Sequence, residues 1–254
     1  MKLGENFWNF RGSFKVAGLD IGTHASLVKL QSGDFVLLDC YSFSAKQQRE
    51  IEQLTDGGER LSAVINLHPF HTVHCEEIFR RFPNAAHYGT QRHHEKLSHL
   101  SWESQRSEEF AQHNPFLGDL EFTVPQGVDF ISANESIHFS SILAIHDRSK
   151  TLHVDDTLML TKAPGPLAPA LGKLGLSGLI QFHPTLPLAL ERRAGAVDAF
   201  QDWIDELLQL TDSVKTLCAA HKGVISAERG LASRIRLARR LATPILVQHR
   251  LRFG

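Results

Sequence analysis

"NLHPFHTVH", residues 66–74, sets His68, His71 and His74 within seven positions of one another. The run "LSAVINLH" (61–68) has the length and apolar content of a buried strand and ends in His68. "HTVHCEEIFRRF" (71–82) then reads as a helix that starts near Thr72 and stops before Pro83. His71 and His74, three apart, fall on neighbouring turns of one face of such a helix. A strand end followed by a first helical turn is a good platform for a metal site, because the backbone rather than the ligands holds the geometry. Neutral imidazoles suit zinc, iron or manganese. Chance clustering competes with this reading: the chain has 15 histidines against two methionines and two tyrosines. On that view His71 caps the helix and His74 faces water.

Similar strand ends recur along the chain. "FKVAGLDIG", "HASLVKL" and "DFVLLDC" are short strands separated by glycine-containing turns, and "SAKQQREIEQLTDGG" is a helix capped by Ser44. "AAHYGT" reads as a strand and "QRHHEKLSHL" as a polar helix. "DLEFTVP", "GVDFISA", "SSILAIH" and "TLHVDDTLML" read as strands. Alternation along "TLHVDD" puts Asp156 on the face of Leu152 and Val154, and Asp155 on that of His153. "VDAFQDWIDELLQL" is an amphipathic helix with Phe200, Trp203, Leu207 and Leu210 on one side. "VKTLCAAH" is a buried strand ending in His221, "AERGLASRIRLARRLA" a basic helix, and "TPILVQHRL" a last strand. Residues 163–190, rich in proline and glycine yet apolar, read as an irregular insertion or lid.

Composition narrows the class. At 254 residues, with 42% hydrophobic and 22% charged, the chain can bury a layered α/β core as a single domain. The formal net charge of −1 gives no global attraction to nucleic acid or anionic membrane. Cys40, Cys75 and Cys218 form no CxxC pair and fit a reducing compartment. No apolar run approaches the ~18 residues of a membrane span, and no signal peptide is visible, so a cytoplasmic location is expected. Arg229, Arg234, Arg236, Arg239, Arg240, Arg250 and Arg252 gather near the C-terminus. Arg236 and Arg240 are spaced to bind a phosphate, but a solvated helix face with cations near its C-terminal end is the simpler reading.

With these motifs assembled, the sequence resembles the metallo-β-lactamase-fold superfamily, a four-layer αββα sandwich with its metal site at one edge of the sheets. That superfamily has a strand ending in H-x-H-x-D-H, a lone histidine before a strand, an aspartate in a "GDT"-like strand end and a final histidine after an apolar strand. The corresponding stretches are "HPFHTVH", "ESIHFSS", "HVDDTL" and "CAAHKG". "FVLLDC" matches the superfamily's early apolar strand ending in aspartate, which marks Asp39 as a supporting group. "FPNAAHYGT" and "AIHDRSKTLHVDDTL" look more specifically like a bacterial subgroup of the fold. The resemblance implies that His68, His71 and His138 hold one ion, that Asp156 bridges, and that His74 and His221 serve a second. His146 is the substitute for His138, whose surroundings lack the usual glycine.

Two departures matter. H-x-x-H replaces H-x-H, and Val73 stands where the superfamily has the aspartate of its second ion. The resemblance implies a metal-dependent hydrolase that acts through metal-bound hydroxide on a small-molecule substrate, with one or two zinc ions, or iron or manganese. Loss of the aspartate leaves two alternatives open: a mononuclear iron oxidoreductase, and a catalytically silent scaffold. A nucleic-acid role for the arginine-rich helix is a weaker idea still.

Overall fold

The computed structural model describes every residue except 17, 162–177, 222, 228 and 229. In chain order it contains β1 (Lys2–Gly4), β2 (Phe7–Gly12), β3 (Lys15–Val16), β4 (Leu19–Asp20), β5 (Thr23–Lys29) and β6 (Phe35–Leu38). Then come α1 (Ala45–Leu54), β7 (Leu61–Ile65), α2 (Cys75–Arg81), β8 (Ala86–Tyr88) and α3 (Gln91–Lys96). The second half runs β9 (Glu121–Thr123), β10 (Leu143–His146), β11 (Thr151–Val154), β12 (Leu158–Thr161), β13 (Leu179–Phe182), α4 (Leu186–Ala189), α5 (Ala196–Leu210), β14 (Thr216–Ala219), β15 (Gly223–Ser226) and α6 (Leu231–Phe253).

Two sheets face each other. One has the order β1-β2-β5-β6-β7-β8, the other β15-β14-β11-β10-β9. Alternation along the strands makes three apolar layers. Val28, Val36, Leu38 and Ile65 of the first sheet meet Phe122, Ile142, Ala144 and Cys218 between the sheets. On the outer face of the first sheet, Leu27, Leu37 and Val64 pack against Ile51 of α1 and Ile78 of α2. On the outer face of the second, Leu152, Val154 and Leu217 pack against Phe200, Trp203 and Leu207 of α5 and Ile235 and Ala238 of α6. Helices therefore cover both outer faces, and the αββα expectation holds.

Local chemistry explains the helix ends. Ser44 caps α1 through a capping box with Gln47, as its sequence suggests. α5 buries the expected face, Phe200, Trp203 and Leu207, and the Trp203 indole N–H bonds Thr123 Oγ1 at 2.9 Å.

Several local expectations are corrected. α2 begins at Cys75 rather than near Thr72, so His71 and His74 precede it, and Val73 is 76% exposed. β7 stops at Ile65, which leaves His68 in the loop that follows. "GVDFISA" forms no strand and contributes only a bridge between Val128 and Leu190. "TPILVQHRL" is not a strand but the last part of the 23-residue α6, with Pro244 inside the helix. Leu231, Ile235, Ala238, Ala242, Leu246 and His249 are buried at three- and four-residue intervals, so tertiary packing carries the helix past the proline. The insertion is only partly irregular: β13 pairs antiparallel with β12, and α4 follows. The proposed lid centre and Arg229 lie outside the described residues.

Among the described residues, no helix is long and apolar enough to cross a membrane.

Candidate metal centre

Most connections within the sheets are antiparallel, but β6, β7 and β8 run parallel, as do β11 and β14. Ligand sites gather outside the carboxyl ends of such strands. Asp39 directly follows β6, His68 lies three residues beyond β7, Asp155 and Asp156 directly follow β11, and His221 lies two beyond β14. The connection carrying His68 is tied to both sheets. Leu67 N–H donates to Asp39 Oδ1 at 2.7 Å, and Leu67 C=O accepts from Ile142 N–H at 2.9 Å. The guanidinium of Arg11 holds the end of β14 through the carbonyls of Ala219 (2.8 Å) and Ala220 (2.6 Å).

These anchors bring four histidines against two consecutive carboxylates. Asp156 Oδ2 lies 3.2 Å from His68 Nε2, and its Oδ1 lies 2.8 Å from His221 Nε2. Asp155 Oδ2 lies 3.3 Å from His71 Nδ1, and its Oδ1 lies 3.2 Å from His24 Nε2. His68, His24 and both aspartates are almost fully buried, whereas His71 is part-exposed. None of the four contacts is an aligned hydrogen bond: His68 Nε2, His24 Nε2, Asp155 Oδ2 and Asp156 Oδ1 are buried atoms without a hydrogen-bond partner. Buried polar atoms are normally satisfied, so four orphans in one cluster mark a place built for something else.

Three residues of the cluster are spaced to hold a metal ion. The donor atoms of His68, His71 and Asp156 lie within 4.8 Å of one another. Ligands about 2.0–2.2 Å from a tetrahedral ion sit about 3.3–3.6 Å from one another, close to most of the contacts above. The far side of the His221 ring is tied to the backbone: Nδ1 lies 3.1 Å from both the Ile21 and Gly22 carbonyls, which leaves Nε2 for the site. Phe70 N–H donates to His68 Nδ1 at 3.2 Å, which holds that ring's rotation and, without a cation, turns the neutral ring's Nε2–H toward Asp156 Oδ2.

Charge follows the same division. Burial would lift both carboxyl groups, but His221 and His68 outweigh it at Asp156, and His71 and His24 at Asp155, so both stay well below the usual carboxylate range. Burial, helped by the charge of His71, lowers His68 to about 4. Burial works against the His71 imidazolium too, yet the pull of Asp155 and Asp156 raises it to about 9. At neutral pH the carboxylates are ionised and His68 is neutral, as a divalent cation requires, whereas His71 carries a proton that a bound cation would have to displace.

The other histidines read from the sequence lie as follows. His138 is part-buried, its ring 4.8 Å from Phe70 and 5.8 Å from His68, at the edge of the group. His74 is not brought to it: its Nδ1 is 3.0 Å from Ser42 Oγ, at the start of α2. His146, the substitute for His138, packs on Phe7 and bonds Ser149 Oγ at 2.8 Å, away from the cluster. The second histidine run divides: His93 is buried and caps α3 with Thr90, while His99 is exposed beside Glu76. Arg239 and Arg250 are engaged by Asp205 and Asp198 of α5.

Sequence reasoning missed His24 and His183. His24 shares the inward face of β5 with Ser26 and Val28, and a buried polar pair on that face was its signal. His183 follows β13 as His68 follows β7. Burial lowers its pKa, and the charges of Asp156, His221 and His138 act on it.

No protein-family model matches this chain, and no curated protein matches it in sequence. Solved structures do match it along nearly its whole length. A metallo-β-lactamase from Erythrobacter litoralis, solved with β-mercaptoethanol in its active site, is 11% identical, with 94% of this chain and 95% of that one covered and a TM-score of 0.58. One from Pontibacter korlensis is 13% identical, with 94% and 97% covered and a TM-score of 0.57. The mono-zinc form of FIM-1 from Pseudomonas aeruginosa is 9% identical, with 96% and 93% covered and a TM-score of 0.56. At such low identity the likeness speaks for architecture, and it agrees with the layers and the strand-end cluster described above: this chain has the metallo-β-lactamase fold.

Proposed function

We propose that the protein is a metal-dependent hydrolase of small molecules, with a divalent cation, zinc by preference, held at His68, His71, Asp156 and His221. The observation that carries this is the Asp156 carboxylate, buried between His68 and His221 with Oδ1 left without a hydrogen bond. A cation held there would lower the pKa of a water toward neutrality and polarise an ester, amide or phosphoryl oxygen. The chain's own part is placement. Asp156 supplies charge, the Ile21 and Gly22 carbonyls aim His221, and Leu67, bonded to both sheets, holds His68 in register. A substrate would approach past His71, the part-exposed histidine of the cluster, with His138 at its edge. Imidazole with carboxylate is a donor set that suits zinc, iron and manganese.

The test is elemental analysis of purified protein, followed by a panel of lactones, esters, amides and phosphodiesters. Zinc together with hydrolysis that is lost in Asp156→Asn supports the proposal. Resident iron with oxygen consumption would replace it by an oxidoreductase, and absence of any metal after zinc supplementation would leave a silent scaffold.

A further inference from the structure

The superfamily's motif carries a carboxylate at the position of Val73, and here that side chain points into solvent. A different carboxylate reaches the cluster. Asp155 turns Oδ2 to within 3.3 Å of His71 Nδ1, and that oxygen is buried without a hydrogen-bond partner. Its other oxygen faces His24 Nε2 at 3.2 Å. His24 is itself fixed: its Nδ1 lies 3.2 Å from Asn9 Nδ2, and its ring stacks on His153 at 4.2 Å.

We propose that Asp155 is a second carboxylate of the cation site, in place of the one missing at Val73, and that His24 is the positioning residue that turns it there. The inference rests on the cation proposed above. Consecutive residues of a continuing strand would point to opposite faces. β11 ends at Val154, so Asp155 and Asp156 lie beyond the pleat, and both reach histidines of the connection after β7.

A separate ion at His24, His153 and Asp155 is the competing arrangement, since their donor atoms lie within 4.8 Å of one another. The rings argue against it. They are 6° from parallel and stacked, so their in-plane lone pairs run side by side and do not meet at one ion. Both nitrogens of His153 are also engaged, Nδ1 with Ser26 Oγ and Nε2 with Asp39 Oδ2, each at 2.9 Å.

The experiment measures zinc stoichiometry, and zinc affinity by competition with a chromophoric chelator, in the wild type, Asp155→Asn, His24→Leu and His24→Gln. Absorption spectra of the cobalt-loaded proteins are recorded alongside. Gln places an amide N–H where His24 carries Nε2, and Leu does not. Asp155→Asn and His24→Leu are expected to weaken zinc binding about 10- to 100-fold and to shift the cobalt bands, with His24→Gln recovering most of both. Wild-type affinity in His24→Leu would overturn the proposal, as would a Gln variant no better than Leu. Two ions in the wild type and one in His24→Leu would overturn it in favour of the separate site. A wild type that binds no zinc would overturn the underlying cation reading itself, a result distinct from all of these. Should His24→Leu fail to fold, Asp155→Asn and His24→Gln still decide: unchanged affinity in Asp155→Asn, or weak binding in His24→Gln, overturns the proposal.

Discussion

His24 of the first sheet and His153 of the second lie ring on ring, 4.2 Å apart and 6° from parallel, in the layer between the sheets. Apolar side chains fill the rest of that layer, so this is where polar groups fasten one sheet to the other directly beneath the candidate metal centre. Asn9 donates to Ser26 Oγ, Ser26 contacts His153, and His153 bonds Asp39, whose other oxygen receives the Leu67 N–H.

Breaking that chain at its middle should be costly. His153→Leu leaves Asp39 Oδ2 buried without its partner, and burial together with the charge of Asp155 already raises the Asp39 carboxyl to about 6. A loss of roughly 2–4 kcal/mol is expected, read as a lower urea midpoint with an unchanged slope. A midpoint equal to the wild type would show that the network contributes nothing to stability.

His74 and His221 should behave oppositely. His74 bonds Ser42 outside the cluster, whereas His221 touches Asp156. His74→Ala is expected to leave zinc affinity within about twofold, and His221→Ala to reduce it by about 100-fold, because a directly ligating group costs at least as much as an outer one. Equilibrium dialysis against a zinc buffer compares them. Equal losses would return His74 to the site.

Stability should fall in mild acid through His146. Burial lowers this histidine to about 4, while the unfolded chain titrates near 6.5. Between those values the unfolded state binds the extra proton and the folded state does not, so stability is full above 6.5 and declines as pH drops toward 4. The contribution is at most about 3 kcal/mol. Denaturant melts of wild type and His146→Gln across pH 4–7 test it: the wild-type curve should slope more steeply.

Pro244 interrupts α6 at an exposed position, removing one backbone donor and crowding the preceding turn. Pro244→Ala should raise stability by about 1–3 kcal/mol. A lower melting temperature would mean that Pro244 stabilises the folded helix.

Much of the fold was legible because it rests on local periodicity. The apolar strands, the Ser44 cap and the Phe200–Trp203–Leu207 face of α5 are written in residue spacing, and spacing is enough to say which face is buried. Periodicity misled at residues 243–251, where a proline and an apolar run suggested a strand. There the face of α6 packed on the second sheet outweighs the local signal.

The sequence alone marked His68, Asp156 and His221 as chemistry at strand ends, since an ionisable residue closing an apolar run is visible in one dimension. Which of the histidines meet was decided by the tertiary structure. The late start of α2 left His74 beside Ser42, and the end of β11 at Val154 freed two consecutive aspartates from the alternation that would have parted them. The stacking of the sheets set His24, some 130 positions away, against Asp155. Pattern along a chain specifies faces, whereas convergence of groups distant in sequence depends on how whole sheets register on one another, which no local spacing encodes.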